Sequence, residues 1–317
     1  MQSLEQNKLP FERPHVLSKG NYRGRFAPSP SGFLHFGSLV TALASFLDAK
    51  STFSSEGKQG AWLVRIEDID PPREKVGATS AILKTLEAFG LHWDENVLYQ
   101  SQQSERYRNT LNDLHLKNLS YYCQCTRKDI KEIGGIYQGH CRTLDLEKYN
   151  SATRLINKKR LYQFQDIFQG YVTCDKNLAN EDFIIHRKDQ LFAYQLAVVL
   201  DDIHQNITHV IRGCDLLEPT ARQLTLFSTL NSPVPRYGHV PLATTDRGYK
   251  LSKQNNAPAI NNHNPQPTLL RALQFLGQPT EPDLIHEKVE IVIDWAINHW
   301  DREKVRKVQE INIELSQ

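Results

Sequence analysis

Short apolar runs closed by turn residues, alternating with longer stretches of helical period, set the pattern of this chain. Gly60-Ala61-Trp62-Leu63-Val64-Arg65-Ile66 is apolar nearly throughout and predicts a buried strand. Phe26 and Ala27 read as the end of an earlier one, because Pro28, Pro30 and Gly32 forbid its continuation. The run Leu39 to Ala49 is apolar on almost every side, as in a helix pressed against a sheet, and it should start near Gly37 or Ser38. Asp70 then reads as a helix N-cap with Pro71 at the first helical position, a helix runs from Ala78 to Phe89 and stops at Gly90, and Val97 to Gln100 is extended. Ser104 should cap a helix in which Tyr107, Leu111 and Leu114 recur at helical spacing. The order β-α-β-α-β over residues 21–120 is the first half of a doubly wound parallel α/β sheet.

Residues 121–185 break that rhythm with cysteines, charges and short strands at Arg154-Leu155-Ile156 and Gly170-Tyr171-Val172-Thr173, and they read as an insertion. The second half, residues 186–260, returns with a helix from Ala193 to Leu200, a strand from Thr208 to Arg212 and a helix from Pro219 to Leu230. In residues 261–317 a linker from Asn261 to Pro267 precedes helices at Thr268 to Leu276 and about Pro282 to Ile311. Residues 1–20 are polar, without the apolar run of a signal peptide or anchor, and are expected to be a disordered extension.

Composition narrows the class. With 39% hydrophobic and 23% charged residues and no apolar stretch of membrane-spanning length, the expectation is a cytoplasmic globule away from any membrane. A formal charge of +2 gives no argument for a nucleic-acid partner, which must rest on local patches such as Arg154, Lys158, Lys159 and Arg160. Five cysteines, three of them clustered, suit a metal site better than a disulfide framework. Cys123-Gln124-Cys125, followed by Tyr137 and Cys141, is a zinc candidate whose fourth ligand could be His140, Tyr137 or water. Cys174 and Cys214 stand alone and read as core.

Two distant stretches carry the chemistry. In Arg25-Phe26-Ala27-Pro28-Ser29-Pro30-Ser31-Gly32, followed by His35-Phe36-Gly37-Ser38, a tight strand-to-helix turn lets an anion approach backbone N–H groups and the positive end of a helix dipole, with His35 as an added donor. Some two hundred residues on, Lys250-Leu251-Ser252-Lys253-Gln254 forms a polar lysine loop. Together they resemble the HIGH and KMSKS signatures of class I aminoacyl-tRNA synthetases. Arg25 to Gly32 and Arg65-Ile66-Glu67-Asp68-Ile69-Asp70 resemble the glutamate-specific branch, and the short length resembles the glutamyl-Q tRNA(Asp) synthetases. The resemblance runs from about Tyr22 to about Gly277. Ser38 stands where the first signature has its second histidine, and Gln254 where the second ends in serine.

That resemblance implies a Rossmann-like catalytic domain with a zinc-containing insertion and a short helical C-terminal region. It implies a monomer that uses ATP with Mg2+ to convert glutamate to glutamyl-adenylate without tRNA, then transfers glutamate to the queuosine of tRNA(Asp). His35, Lys250 and Lys253 would be catalytic, and His35, Gly37, Ser38 and Lys253 would hold ATP. Arg25, Phe26, Ala27, Pro28, Ser29, Glu67, Tyr194 and Arg212 would hold glutamate, the arginines as bidentate forks for carboxylates, Glu67 for the ammonium, and Asp215 closing the pocket. The family pattern puts Tyr137 with Cys123, Cys125 and Cys141 on a structural zinc. Residues 254–317 are too few for the anticodon-binding region of a discriminating glutamyl-tRNA synthetase. The other readings are a truncated synthetase that charges a tRNA 3′ end and a silent RNA-binding paralogue.

Overall fold

The computed structural model describes residues 21–244 and 260–313. The expected extension at residues 1–20 and the lysine loop with Lys250 and Lys253 lie outside them. In chain order the elements are β1 (Arg23–Phe26), α1 (Phe36–Lys50), β2 (Ala61–Ile66), α2 (Ala78–Ala88), β3 (Leu98–Tyr99) and α3 (Ser104–Leu116). Next come β4 (Ser120–Cys123), α4 (Arg127–Glu132), β5 (Ala152–Leu155), β6 (Gln163–Asp166), β7 (Gly170–Thr173), α5 (Lys176–Asn180) and β8 (Ile184–His186). The second half holds α6 (Tyr194–His204), β9 (His209–Gly213), α7 (Leu217–Thr229), β10 (Arg236–Val240) and β11 (Leu242–Thr244), followed by α8 (Pro265–Phe275), α9 (Val289–His299) and β12 (Glu310–Asn312).

Strands β3, β2 and β1 are parallel neighbours, and so are β6, β10 and β9, with β7 added as an antiparallel edge. The two sets adjoin at β1 and β9, where Thr208 N donates to Arg23 O at 2.9 Å and Arg23 N to Thr208 Oγ1 at 2.8 Å. Residues 163–173, expected within the insertion, thus add to the edge of the main sheet. What stands apart is the small antiparallel sheet β4-β5-β8.

Pleating sorts the side chains into two faces with different chemistry. Toward α1, α2, α8 and α9 point Phe26, Trp62, Val64, Ile66, Ile211 and Val240, all buried in one apolar core. Trp62 meets Phe46 edge-on at 5.2 Å, and its indole N–H finds Ser45 Oγ at 3.0 Å, so no polar atom of it is stranded. Toward α6 and α7 point Leu63 and Val210, but also Arg25, Arg65 and Arg212, each at most 3% exposed. A buried cation persists only with a partner, and α6 supplies it.

Several boundaries differ from expectation for identifiable reasons. Helix α1 starts at Phe36 because His35, in extended conformation, caps it. Asp70 does precede Pro71, yet only a short 3-10 turn follows, and its carboxylate pairs with Arg73 instead of capping. Ser104 is the first helical residue and not the cap. Helix α6 runs four residues past Leu200, since Asp201 and Asp202 are buried partners of cations and hydroxyls and do not end it. Pro265, expected in a linker, occupies the first turn of α8, where its missing N–H costs nothing. The last expected helix ends at His299, after which the chain turns and β12 pairs in parallel with β11. Gly90 ends α2 as expected, with φ +70°.

The C-terminal segment is clamped to α1. Asp48, fully buried, accepts from Tyr22 Oη, from Trp300 Nε1 at 3.1 Å and from Arg302 Nε at 2.6 Å. Among the described residues no helix is long and apolar enough to cross a membrane.

Replacing Asp202 by alanine would leave two buried guanidinium groups without their shared anion. Urea unfolding should show a loss of about 3–5 kcal/mol. A loss below about 1 kcal/mol, the scale of an exposed pair, would show that the anion is not what holds this face together.

Candidate active site

The turn after β1 and the carboxyl end of β2 are tied together by Glu67 N donating to Pro28 O at 3.1 Å. Ala27, Pro28 and Ser29 therefore line the same sheet edge as Glu67, with Ser29 exposed. Leu34 is buried and Phe36 packs edge-on against Phe275 at 5.8 Å, which fixes the first turn of α1. His35 Nδ1 accepts from Ser38 N at 3.3 Å, and Nε2 lies 3.0 Å from Ser38 Oγ. Since Nδ1 accepts, the proton sits on Nε2 and is donated to the serine hydroxyl. Ser38, a departure from the family signature, thus becomes the partner that orients His35.

Behind this edge lies the polar face. Asp202 Oδ1 receives Arg65 Nη2 at 2.6 Å and Arg25 Nε at 3.1 Å, and Oδ2 receives Arg25 Nη2 at 3.3 Å. Gln205 Oε1 takes Arg65 Nε at 2.9 Å. Asp201, on the adjacent position of α6, accepts from Tyr107 Oη at 2.7 Å, Gln100 Nε2 at 2.8 Å and Arg106 Nη1 at 3.1 Å. Glu67, half-buried, has a carboxyl pushed up to about 7. Loss of water is the main cause; Arg65 and Arg25 oppose it, while Asp202 and Asp201 add to it.

Arg212, on β9, is 3% exposed. Its Nε donates to His239 Nε2 at 3.0 Å, and Nη2 donates to Leu216 O at 3.2 Å and Thr220 Oγ1 at 2.7 Å. The guanidinium lies 4.9 Å from the Tyr237 ring centre. Nη1 is buried and has no hydrogen-bond partner. Tyr194, at the start of α6, sits within the field of Arg212, Glu67 and Arg25. Arg25, Glu67, Tyr194 and Arg212 are therefore one neighbourhood, as the sequence suggested. In Arg212 the Nε hydrogen and both Nη2 hydrogens are spent on protein groups, which leaves Nη1 and no two-nitrogen fork, whereas Arg25 gives Asp202 its Nε hydrogen and one from Nη2 and keeps an end-on pair of donors. Asp215, expected to close the pocket, is exposed.

The cysteine cluster is assembled as expected. The sulfurs of Cys123, Cys125 and Cys141 lie within 4.8 Å of one another, and tetrahedral zinc would hold them about 3.8 Å apart, so the set fits that ion. Tyr137 Oη accepts from Cys141 N at 2.9 Å, and His140 Nε2 lies 3.2 Å from Cys125 Sγ, so both candidate fourth ligands adjoin the cluster. Arg154 stacks 3.7 Å over the Tyr137 ring and donates to Cys123 Sγ at 3.2 Å, a cation well placed against thiolate charge. It is 2% exposed and cannot meet RNA phosphates, whereas Lys158, Lys159 and Arg160 are exposed. Cys174 and Cys214 are buried in core, as expected.

The sequence reading missed Arg65, Asp202, Gln205, His239 and Asp166. A signal for part of this set was present, since Tyr194, Val198, Asp202 and Gln205 recur at the spacing of one helical face.

Comparison with known proteins agrees with this architecture. The family model described as the catalytic domain of class I tRNA synthetases (E and Q) matches residues 21–280. A glutamyl-Q tRNA(Asp) synthetase of Colwellia psychrerythraea is 68% identical over 312 residues, covering 97% of this chain and 98% of that protein. The glutamyl-Q tRNA(Asp) synthetase of Escherichia coli K12 is 52% identical, covering 90% of each. The solved glutamate-tRNA synthetase of Elizabethkingia anophelis has the same fold, with a TM-score of 0.75 at 23% identity over 93% of this chain and 68% of that one. On a family match across most of its length and a relative 68% identical nearly end to end, the chain belongs to the class I tRNA synthetases of the E and Q type, in the glutamyl-Q tRNA(Asp) group.

Proposed function

We propose that this chain activates glutamate with ATP to glutamyl-adenylate, without tRNA, and transfers the glutamate to the queuosine of tRNA(Asp). The observation that carries the reading is the buried, partnerless Nη1 of Arg212, a cation that shares the neighbourhood of Tyr194 with Arg25 and the half-buried carboxyl of Glu67. A buried donor without an acceptor is costly unless a ligand supplies one, and a substrate carboxylate does.

In the reaction the α-carboxylate of glutamate attacks the α-phosphorus of ATP and pyrophosphate leaves. No nucleophile of the protein is needed; the rate comes from bringing two anions together and matching the charge that develops on the triphosphate. Arg212 Nη1 holds one substrate carboxylate and Arg25 assists from β1 with the donors left after its Nε hydrogen and one Nη2 hydrogen go to Asp202. Glu67 receives the ammonium, and Tyr194 with Phe26, Ala27, Pro28 and Ser29 walls the pocket. The first turn of α1 takes phosphate oxygens at the positive end of the dipole through Gly37 N–H and the Ser38 hydroxyl, whose proton His35 leaves free by donating its own to the serine oxygen. By the family resemblance Lys250 and Lys253 would meet the charge on the triphosphate, and Mg2+ would accompany ATP. Zinc held by Cys123, Cys125, Cys141 and Tyr137 would clamp the β4-β5-β8 unit, which has only a small apolar core of its own. The protein acts as a cytoplasmic monomer.

Glutamate-dependent exchange of pyrophosphate into ATP should proceed with no RNA present, and nuclease digestion should map labelled glutamate to the anticodon loop of tRNA(Asp). Exchange that requires tRNA, with label at the 3′ end, would contradict the reading in favour of a truncated synthetase. No exchange under either condition would favour the silent paralogue.

The charge state of Glu67 gives a second prediction. Its folded pKa lies above the ordinary carboxyl value, so the carboxylate that receives the ammonium is present above about pH 7 and is lost as pH falls through it. KM for glutamate should rise by about tenfold per pH unit below 7, and the Glu67→Gln variant should show no such slope. A wild-type KM independent of pH between about 6 and 8 would show that Glu67 does not receive the ammonium.

A further inference from the structure

We infer that His239 and Asp166 are positioning residues, a two-link relay that holds Arg212 so that Nη1 alone faces the substrate. The inference rests on the reading of Arg212 as a glutamate ligand.

Arg212 carries five N–H bonds. One, on Nε, goes to His239 Nε2, and two on Nη2 go to Leu216 O and Thr220 Oγ1. The two on Nη1 have no partner. The protein thus commits one edge of the group completely and leaves the other bare.

For Nε–H to donate to His239 Nε2, that nitrogen must present a lone pair, which puts the ring proton on Nδ1. Nδ1 faces Asp166 Oδ2 at 2.6 Å, and both side chains are fully buried. Asp166 has no use for a proton of its own. Its Oδ1 already accepts from Phe168 N at 2.9 Å, Gln169 N at 2.9 Å and His239 N at 3.1 Å. Burial alone would raise its pKa, but the His239 contact and the N–H groups outweigh it and hold the carboxyl below its ordinary value. An anion so fixed can only accept from Nδ1, and it thereby sets the tautomer, as an aspartate does for an imidazole in other sites. A proton on Nε2 would instead point at Arg212 and drive the guanidinium out of place. Thr220 Oγ1 supports the arrangement from α7: it donates to Leu216 O at 2.7 Å and lies 3.3 Å from His239 Nε2.

The origin of the parts adds meaning. His239 lies on β10 beside Arg212 on β9, in the register His239↔Arg212. Asp166 comes from β6, which joins the sheet through the single register pair Tyr237↔Asp166. The hairpin β6–β7, which precedes the second half of the catalytic unit in sequence, is thus what locks the orientation of a substrate arginine.

The test compares Arg212→Lys, Asp166→Asn, His239→Phe and His239→Gln by the KM values for glutamate and ATP in pyrophosphate exchange. Asp166→Asn can donate to Nδ1 and move the proton to Nε2; His239→Phe removes the acceptor. Each should raise the glutamate KM by about tenfold or more and leave the ATP KM within about twofold, while His239→Gln, which restores an acceptor oxygen, recovers part of the loss. On the Arg212→Lys background Asp166→Asn should add nothing further to the glutamate KM. If Arg212→Lys raises the glutamate KM but the relay variants leave it unchanged, or raise both KM values alike, the relay is wrong and the reading of Arg212 stands. If Arg212→Lys itself leaves the glutamate KM unchanged, that reading fails and the relay with it. Should a variant not fold, nitrogen NMR of the wild-type imidazole decides: a neutral ring protonated on Nδ1 supports the relay, and a ring protonated on Nε2 overturns it.

Discussion

One carboxylate, that of Asp202, sits between two buried arginines from neighbouring parallel strands, and the polar face of the sheet is built around it. Arg25 and Arg65 point the same way only because β1 and β2 pair in register, Arg25 opposite Leu63 and Phe26 opposite Val64. Helix α6 must then approach with Asp202 inward. At the low effective dielectric of such a site an unmatched guanidinium is intolerable, so the charge pattern determines which face of α6 meets the sheet as firmly as apolar packing does elsewhere. Gln205 and Asp201 extend the lattice along the same helix.

This constraint explains why this face of the sheet can be both buried and charged. Most donors in it are committed to protein acceptors, which keeps the side chains in place before any ligand arrives; that is preorganisation of the kind electrostatic catalysis needs. What is left uncommitted is small and directional: Nη1 of Arg212, a carboxyl at Glu67 displaced toward neutrality by loss of water, and the first turn of α1. The opposite face is ordinary apolar core, and the C-terminal segment is pinned to it through Asp48 at the end of α1. Rigidity behind the sheet and selective exposure in front of it have separate causes.

Much of this was legible in the sequence, and what was not has a physical reason. The strand at Trp62 to Ile66, the turn at Pro28 to Gly32, the helix after it and the cysteine cluster were readable because each depends on local rules of backbone freedom, apolar runs or ligand spacing. The extension of α6 past Leu200 was not, since adjacent aspartates read as a helix end unless buried cations are known to meet them. Which donors of Arg25 and Arg212 the protein itself uses was hidden for the same reason: it depends on partners 177 positions away in one case, Asp202, and 27 in the other, His239. Arg154 looked like part of a basic run and proved to be an interior partner of Cys123 and Tyr137. β12 escaped because its pairing with β11 is invisible to periodicity in three residues.

The account stands most directly on where a substrate carboxylate lies. A crystal structure with a non-hydrolysable glutamyl-adenylate analogue should place a glutamate carboxylate oxygen about 3 Å from Arg212 Nη1, with the Arg212 to His239 contact intact. An analogue bound with its glutamyl group elsewhere, leaving Nη1 without an acceptor, would contradict it.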